Sequence, residues 1–398
     1  MKKIQGRILI IGAGAAGSVV AQKCAQQPDI FSYIHVASRR LSSCQTVQSK
    51  CQSPIHISQV DADKTPQVIQ LIESTTPDIV INMALPYQDL SIMDACLHTG
   101  VHYIDTASYE PKDTAKFCYQ WQWDYHEKFK SSRIMGLLGA GFDPGVTNVF
   151  CSYANHHLFD EIHHIDIIDC NAGDHGHPFA TNFNPEINIR EVTAPGKFYE
   201  NGTWISVSPL SVSKDIQFPE CGLKTAYLMY HEELESIVKH IPHIQSIRFW
   251  MTFSETYLTH LRVLQNVGLT NIQPINYQGQ DIIPLQFLSH LLPKAPDLVE
   301  QYTGKTCIGC IISGIQNNQA KKILIYNVCD HEVTYKELQS HAVSFTTGVP
   351  AMIAAKLLVT GEWQGHGIFN MEQMNPDPFM QSLPQHGLPW YIQGLQCT

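Results

Sequence analysis

Short runs of β-branched and aliphatic residues alternate with segments of helical spacing over the first third of the chain. The runs fall at residues 8–11, 33–38, 55–61, 78–82, 101–106 and 134–138. Between them, Leu90, Met93 and Leu97 recur as one helical face does. This alternation predicts an α/β fold, with a parallel sheet covered by helices on both faces. Six strands suffice for an N-terminal doubly wound Rossmann sheet. The pattern changes after Gly139-Ala140-Gly141-Phe142-Asp143-Pro144-Gly145. Runs at residues 162–170, 198–207, 244–253, 307–313 and 322–329 are longer and more polar, with few helices, one at roughly 224–239. They predict an α+β substrate domain built on a mixed sheet. The expected division is 1–145 for the nucleotide domain and 146–345 for the second. The segment at about 346–398, with an Ala-, Met- and Leu-rich helix near 349–359, is expected to pack back on the first domain.

Composition narrows the function. Against 36 Asp+Glu stand 26 Lys+Arg, a formal net charge of −10, which argues against a nucleic-acid partner. Hydrophobic residues at 44% and charged residues at 16% supply a sizeable core. Twelve Cys in 398 residues are too few and too scattered for a disulfide scaffold, so a cytoplasmic location is expected. The first apolar run ends in glycines after four residues, which reads as a strand and not as a targeting segment. No apolar stretch approaches the roughly 20 residues of a membrane span, so no membrane partner is expected.

The sharpest motif is Gly12-Ala13-Gly14-Ala15-Ala16-Gly17, between a strand and a helix. In a dinucleotide loop Gly12 allows the tight turn, Gly14 lets the pyrophosphate approach the backbone, and Gly17 lets helix and strand pack closely. Ala15 and Ala16 open the helix whose N–H groups face the phosphates. The second strand ends in Ser38-Arg39-Arg40, where an NAD enzyme usually carries an acid. A hydroxyl and two guanidiniums suit a 2′-phosphate, which predicts NADPH; the alternative is that both arginines are solvated at a helix start. Asp61 is placed to meet the adenine. Asn82, Ala84, Leu85, Thr106 and Ser108 end later strands, where the nicotinamide should lie.

Other patterns carry no chemistry. Gly304-Lys305-Thr306 lacks the earlier glycine of a phosphate loop, since Val299 stands there. Cys307 and Cys310 have zinc-like spacing without a second pair, so buried thiols and no metal are expected.

Longer strings resemble the saccharopine dehydrogenase-like family, closest to its bacterial polyamine branch. They are Asn82 to Leu90, Gly141 to Asn148, Asp169 to Gly176, Asn182 to Glu191, Tyr230 to Ser236 and Tyr326 to His331. Ala172 departs from the family string, where a Gly is expected. The resemblance implies NADPH-dependent reductive condensation of L-aspartate β-semialdehyde with 1,3-diaminopropane or putrescine, giving carboxynorspermidine or carboxyspermidine. It also implies a homodimer through the second domain's sheet. A saccharopine-type reaction of lysine with an oxo acid is the alternative enzyme; a non-catalytic NADP-binding sensor or scaffold is the alternative of another class.

That chemistry assigns roles. Arg190 is the candidate cation for the substrate carboxylate, with an ion pair to Glu186 or Glu191 as the alternative. Asp174, Glu186 and Glu232 are candidates for the distal ammonium. Glu233 and Glu235 read as a solvated face, and Trp204 or Trp250 as a cation–π surface or as core. His175, in a glycine-flanked loop, and His231, on an expected helix, lead as proton donors. Asp143 either orients a ligand or caps the helix beginning at Pro144.

Overall fold

The computed structural model describes residues 5–397. Its first sheet has seven strands, all paired in parallel. Across the sheet they run Gly367–Asn370, Met135–Leu138, His102–Ile104, Ile79–Asn82, Gly6–Ile11, Phe31–Ser38, His56–Gln59. Alternation within a strand explains the double winding. In Gly6–Ile11, Ile8 and Ile10 join one core, while Leu9 and Ile11 join another on the opposite face. Strands buried on both sides read as unbroken apolar runs.

The second sheet is mixed and has nine strands. Glu161–Asn171 lies parallel to Ser246–Thr252 and antiparallel to Lys305–Gln316, which forms a long hairpin with Gln319–Asp330. Asn317 and Asn318 turn that hairpin with φ of 52° and 59°, as a tight primed turn requires. The expected helix at 224–239 is corrected. Gly222–Met229 is a strand of this sheet, and the helix is Glu233–His240. His231 therefore stands just before a helix, not within one.

One continuous core joins both sheets, with helices Ala15–Ala25, Val146–His157 and Ala342–Thr360 contributing to it. Helix Ala342–Thr360 crosses Ala15–Ala25 closely at Gly348, where a Cβ would stand 2.7 Å from that of Val19. This 19-residue helix is apolar enough to span a membrane by length and composition, but 72% of its apolar window is buried inside the fold. The chain after residue 345 is divided between the sheets. Gly367–Asn370 extends the parallel one, whereas Trp390–Gly394 pairs with Gln319–Asp330 of the mixed one. The expectation that this whole segment packs on the first domain is corrected accordingly.

Arg190 belongs to this framework. It is 2% exposed on helix Pro185–Thr193. Its Nε donates to Glu110 Oε1 at 2.5 Å, and its two other nitrogens donate to the carbonyls of Lys112 and Pro111 at 2.9 and 2.8 Å. The guanidinium is spent on protein acceptors, so the assignment of Arg190 to a substrate carboxylate is corrected: it ties the second domain to the loop after His102–Ile104. Burial pushes the Glu110 carboxyl up to about 7 against the pull of the guanidinium, and Glu110 Oε2 has no partner among the described residues. Arg190→Met should cost about 3–5 kcal/mol, because it strands a buried carboxyl. Arg190→Met combined with Glu110→Leu should recover most of the loss, which urea unfolding of the single and double variants would measure.

Candidate active site

The loops that follow the parallel strands converge at the carboxyl edge of the first sheet, where ligands bind in open α/β folds. The glycine loop has the geometry of a phosphate cradle. At Gly12, φ is +121° and a Cβ would stand 2.3 Å from the Met83 carbonyl; at Gly17 it would stand 2.0 Å from Gly12 O. At Gly14 nothing lies within 4 Å, and the helix it caps has no side chain on its first N–H groups. These residues fit a dinucleotide: two glycines are forced by packing, and the third leaves the helix N-terminus open to an anion. Arg39 and Arg40 are exposed, and among the described residues neither forms an ion pair. Ser38 Oγ donates to Arg40 O at 3.0 Å. Asp61 lies at the same edge, since Val60 N donates to Ser38 O, and its carboxylate is 3.4 Å from Lys64 Nζ.

The expected nicotinamide contacts divide. Ala84, Leu85 and Thr106 are half-buried at the crevice. Asn82 is buried and fully engaged, donating to Asp89 Oδ1 and Tyr103 Oη at 2.8 and 3.0 Å and accepting from Ala84 N. It shapes the loop and offers no free group to a cofactor, a correction to its assignment. Ser108 N donates to Glu232 Oε1 at 2.9 Å, while Ser108 Oγ is buried without a partner. Beneath this edge, Gln122 links two buried acids, Asp105 at 2.7 Å and Asp89 at 3.5 Å. Burial pushes Asp105 up to about 8.

Where the two domains meet, carboxyl groups surround His231. Its Nε2 is 3.2 Å from Glu191 Oε1, and its Nδ1 bonds Glu233 and lies 3.4 Å from Glu232 Oε2. The ring stacks on Phe249, centroids 4.4 Å apart. Burial alone would favour the neutral ring, but Glu233, Glu232 and Glu191 outweigh it and hold His231 well above the usual imidazole range. His231 is therefore an imidazolium at neutral pH. The reading of Glu233 as a solvated acid is overturned, since it is 0% exposed and its Oε1 lacks a partner among the described residues. Glu235, by contrast, pairs with Lys197 at 2.9 Å. Burial also raises Glu232, against the pull of His231.

Two more acids complete the group. Asp143 is not a helix cap: Gly145 caps Val146–His157, and Asn148 Oδ1 accepts from Gly145 N at 2.8 Å. Asp143 Oδ2 is enclosed without a hydrogen-bond partner among the described residues. Burial and the neighbouring Asp169 hold Asp143 well above the carboxylate range, and burial pushes Asp169 up to about 7. Two carboxyls so placed retain a proton between them. Asp169 escaped the sequence reading, although a signal was present. It shares the parity of Ile165 and Ile167 on one strand, so a charged side chain points the way the core does.

Other candidates lie elsewhere. Asp174 is exposed and closes its own turn by accepting from Gly176 N at 2.7 Å, so its assignment to the ammonium is corrected. Glu186 accepts from Tyr87 Oη at 3.1 Å, across the cleft. His175 is not grouped with His231. It packs edge-on against Tyr302, and burial and His177 lower its pKa. Trp204 and Trp250 each already carry a lysine over the ring, Lys197 at 4.6 Å and Lys214 at 4.1 Å. Cys307 and Cys310 are buried in different cores, and no disulfide forms among the described residues. Ala172 has no left-handed backbone; the crowded position is Gly173, where a Cβ would stand 2.7 Å from His331 Nε2.

The chain is similar to known proteins along nearly its full length. Residues 8–137 match the saccharopine dehydrogenase NADP binding domain, and residues 141–388 match the saccharopine dehydrogenase C-terminal domain. A carboxyaminopropylagmatine dehydrogenase of Synechocystis sp. is 53% identical, with 97% of each chain covered. A carboxynorspermidine synthase of Vibrio alginolyticus is 42% identical, covering 98% of this chain and 97% of the relative. Apo saccharopine dehydrogenase (L-Glu forming) from Saccharomyces cerevisiae superposes with a TM-score of 0.74 over 98% of this chain and 100% of that one, at 13% identity, a likeness of fold. With both family domains present in order, and a relative 53% identical along nearly its full length, the chain belongs to the saccharopine dehydrogenase family of oxidoreductases.

Proposed function

We propose that this protein uses NADPH to join L-aspartate β-semialdehyde to a primary amine with a second cationic end, in polyamine synthesis. One observation carries the reading: a buried imidazolium in contact with three carboxyls, its charge felt by two more, at the edge of a nucleotide-binding sheet. A single positive charge does not balance Asp143, Asp169, Glu191, Glu232 and Glu233. The site therefore favours either bound protons or an incoming cation, and a dicationic amine brings one.

The chemistry divides among these residues. The amine must lose a proton before attacking the aldehyde, and the Asp143–Asp169 pair can accept it. Oxygen must leave as water, and His231 can donate the proton. The cofactor, when bound, supplies hydride to the carbon–nitrogen double bond. Glu232, tied to Ser108 N, and Glu191 hold the imidazole in place from opposite sides.

The amine is 1,3-diaminopropane or putrescine in the first reading. A second reading, agmatine, is favoured by the higher identity to the relative named for a carboxyaminopropylagmatine than to the one named for carboxynorspermidine. Carboxylates accept a guanidinium as readily as an ammonium. A saccharopine-type substrate would need further carboxylate clamps, yet Arg190 is spent and Arg248 bonds Glu200. Steady-state oxidation of NADPH should require both the semialdehyde and one of the three amines. Turnover with lysine and 2-oxoglutarate instead would overturn the reading.

The exposed arginines imply selectivity. Arg39→Ala with Arg40→Ala should raise the KM for NADPH roughly 10- to 100-fold, as losing charge-assisted hydrogen bonds does, and leave that for NADH nearly unchanged. His231 implies a pH dependence. Its folded pKa is raised, so the donor form and its stabilising contribution are both present at neutral pH and are lost as pH rises through that value. The pH–rate profile should fall on the alkaline side. His231→Gln should lower kcat roughly 10²- to 10⁴-fold and abolish that limb, as a series of rates from pH 6 to 10 would record.

A further inference from the structure

The second domain contains a hydrogen-bonded chain whose direction the backbone sets. Ala342 N–H donates to His331 Nδ1 at 3.1 Å. A ring nitrogen that accepts carries no proton, so His331 holds its proton on Nε2 and donates it to Asn171 Oδ1 at 3.0 Å. Burial, with His341 and His175 nearby, pushes His331 down to about 3 and keeps it neutral. A second backbone donor, Gly173 N–H, reaches the same Asn171 oxygen at 2.9 Å. Asn171 therefore cannot exchange its oxygen and nitrogen, and its Nδ2 donates to the Tyr302 oxygen at 2.6 Å. The Tyr302 hydroxyl must send its own proton onward, to Asn182 Oδ1 at 2.5 Å. Asn182 is left presenting Nδ2, which has no protein acceptor among the described residues.

This free donor lies just before the helix that carries Glu186 and Glu191. Asn182 is partly exposed and precedes Asn184, the cap of helix Pro185–Thr193. From that helix Glu186 reaches Tyr87 at the cofactor edge and Glu191 reaches His231. Asn171 stands two residues from Asp169 on the same face of strand Glu161–Asn171, which brings the relay toward the acids. An amino-acid aldehyde carries a carboxylate into this acidic setting and needs a donor there. Arg190 cannot serve, and a free cation would be drawn into the acids that hold His231. A neutral amide, fixed N–H₂ outward, donates without that competition.

We propose that the Asn182 carboxamide, oriented by Tyr302, Asn171 and His331, receives the carboxylate of the amino-acid aldehyde; this rests on the function proposed above. Tyr302, Asn171 and His331 are positioning residues that act through Asn182. Asn182→Ala should raise the KM for the semialdehyde about 10-fold or more, with kcat and the KM values for NADPH and amine unchanged. Asn182→Asp should raise it further, because Tyr302 occupies one oxygen and the other presents a negative acceptor to a carboxylate. Tyr302→Phe, which frees the amide to turn over, should give a smaller rise of the same kind. Calorimetric titration of the NADP⁺-loaded enzyme with L-homoserine, the alcohol counterpart of the aldehyde, should weaken in the same order. Unchanged semialdehyde KM in both Asn182 variants, or an equal rise for all three substrates, overturns the inference while the wild-type reaction stands. A wild-type enzyme that binds NADPH but consumes no semialdehyde overturns both.

Discussion

A single imidazolium shared among buried carboxyls governs this site. His231 touches Glu191, Glu232 and Glu233, and Asp143 and Asp169 feel its charge. In water each of these groups would be solvated and independent. Inside the protein their charges must be reconciled with one another, so His231 stays protonated and the acids beyond it hold protons. The same imbalance makes the site receptive to a cation and gives it proton donors and acceptors near neutral pH. In the proposed function, substrate selection and proton transfer thus arise from one electrostatic constraint.

The fold keeps that constraint in register. Asp143 comes from the loop after Met135–Leu138, Asp169 from the inward face of Glu161–Asn171, Glu191 from helix Pro185–Thr193, and Glu232 and Glu233 from the start of Glu233–His240. Ser108 N and Arg190 fasten these elements to the loop after His102–Ile104. The core running continuously between the sheets makes that assembly stiff. Charged groups held by such a frame need little rearrangement when a reaction develops charge.

Much of the nucleotide half was legible in the residues. The six runs became the six expected strands; the inner ones are largely apolar because they are buried on both faces, whereas the edge strand His56–Gln59 is polar and partly exposed. The seventh strand, Gly367–Asn370, was not, since pairing between residues over 200 positions apart leaves no local trace. The helix expected at 224–239 failed for a related reason. Strand Gly222–Met229 has a half-exposed, mixed pattern that only its neighbours interpret. Arg190 was misassigned because a lone cation in a polar string looks available until Glu110, 80 positions away, is seen beside it.

The sequence by itself determined the glycine loop, the arginines after the second strand and the alternation that dictates two layers of helix on a parallel sheet. Each depends on near neighbours in the chain and on backbone sterics. Only the tertiary structure decided which acids share a proton, which histidine is charged, and which way the Asn182 amide points. A pKa or a hydrogen-bond direction is set by groups a few ångströms distant in space, contributed by segments far apart along the chain.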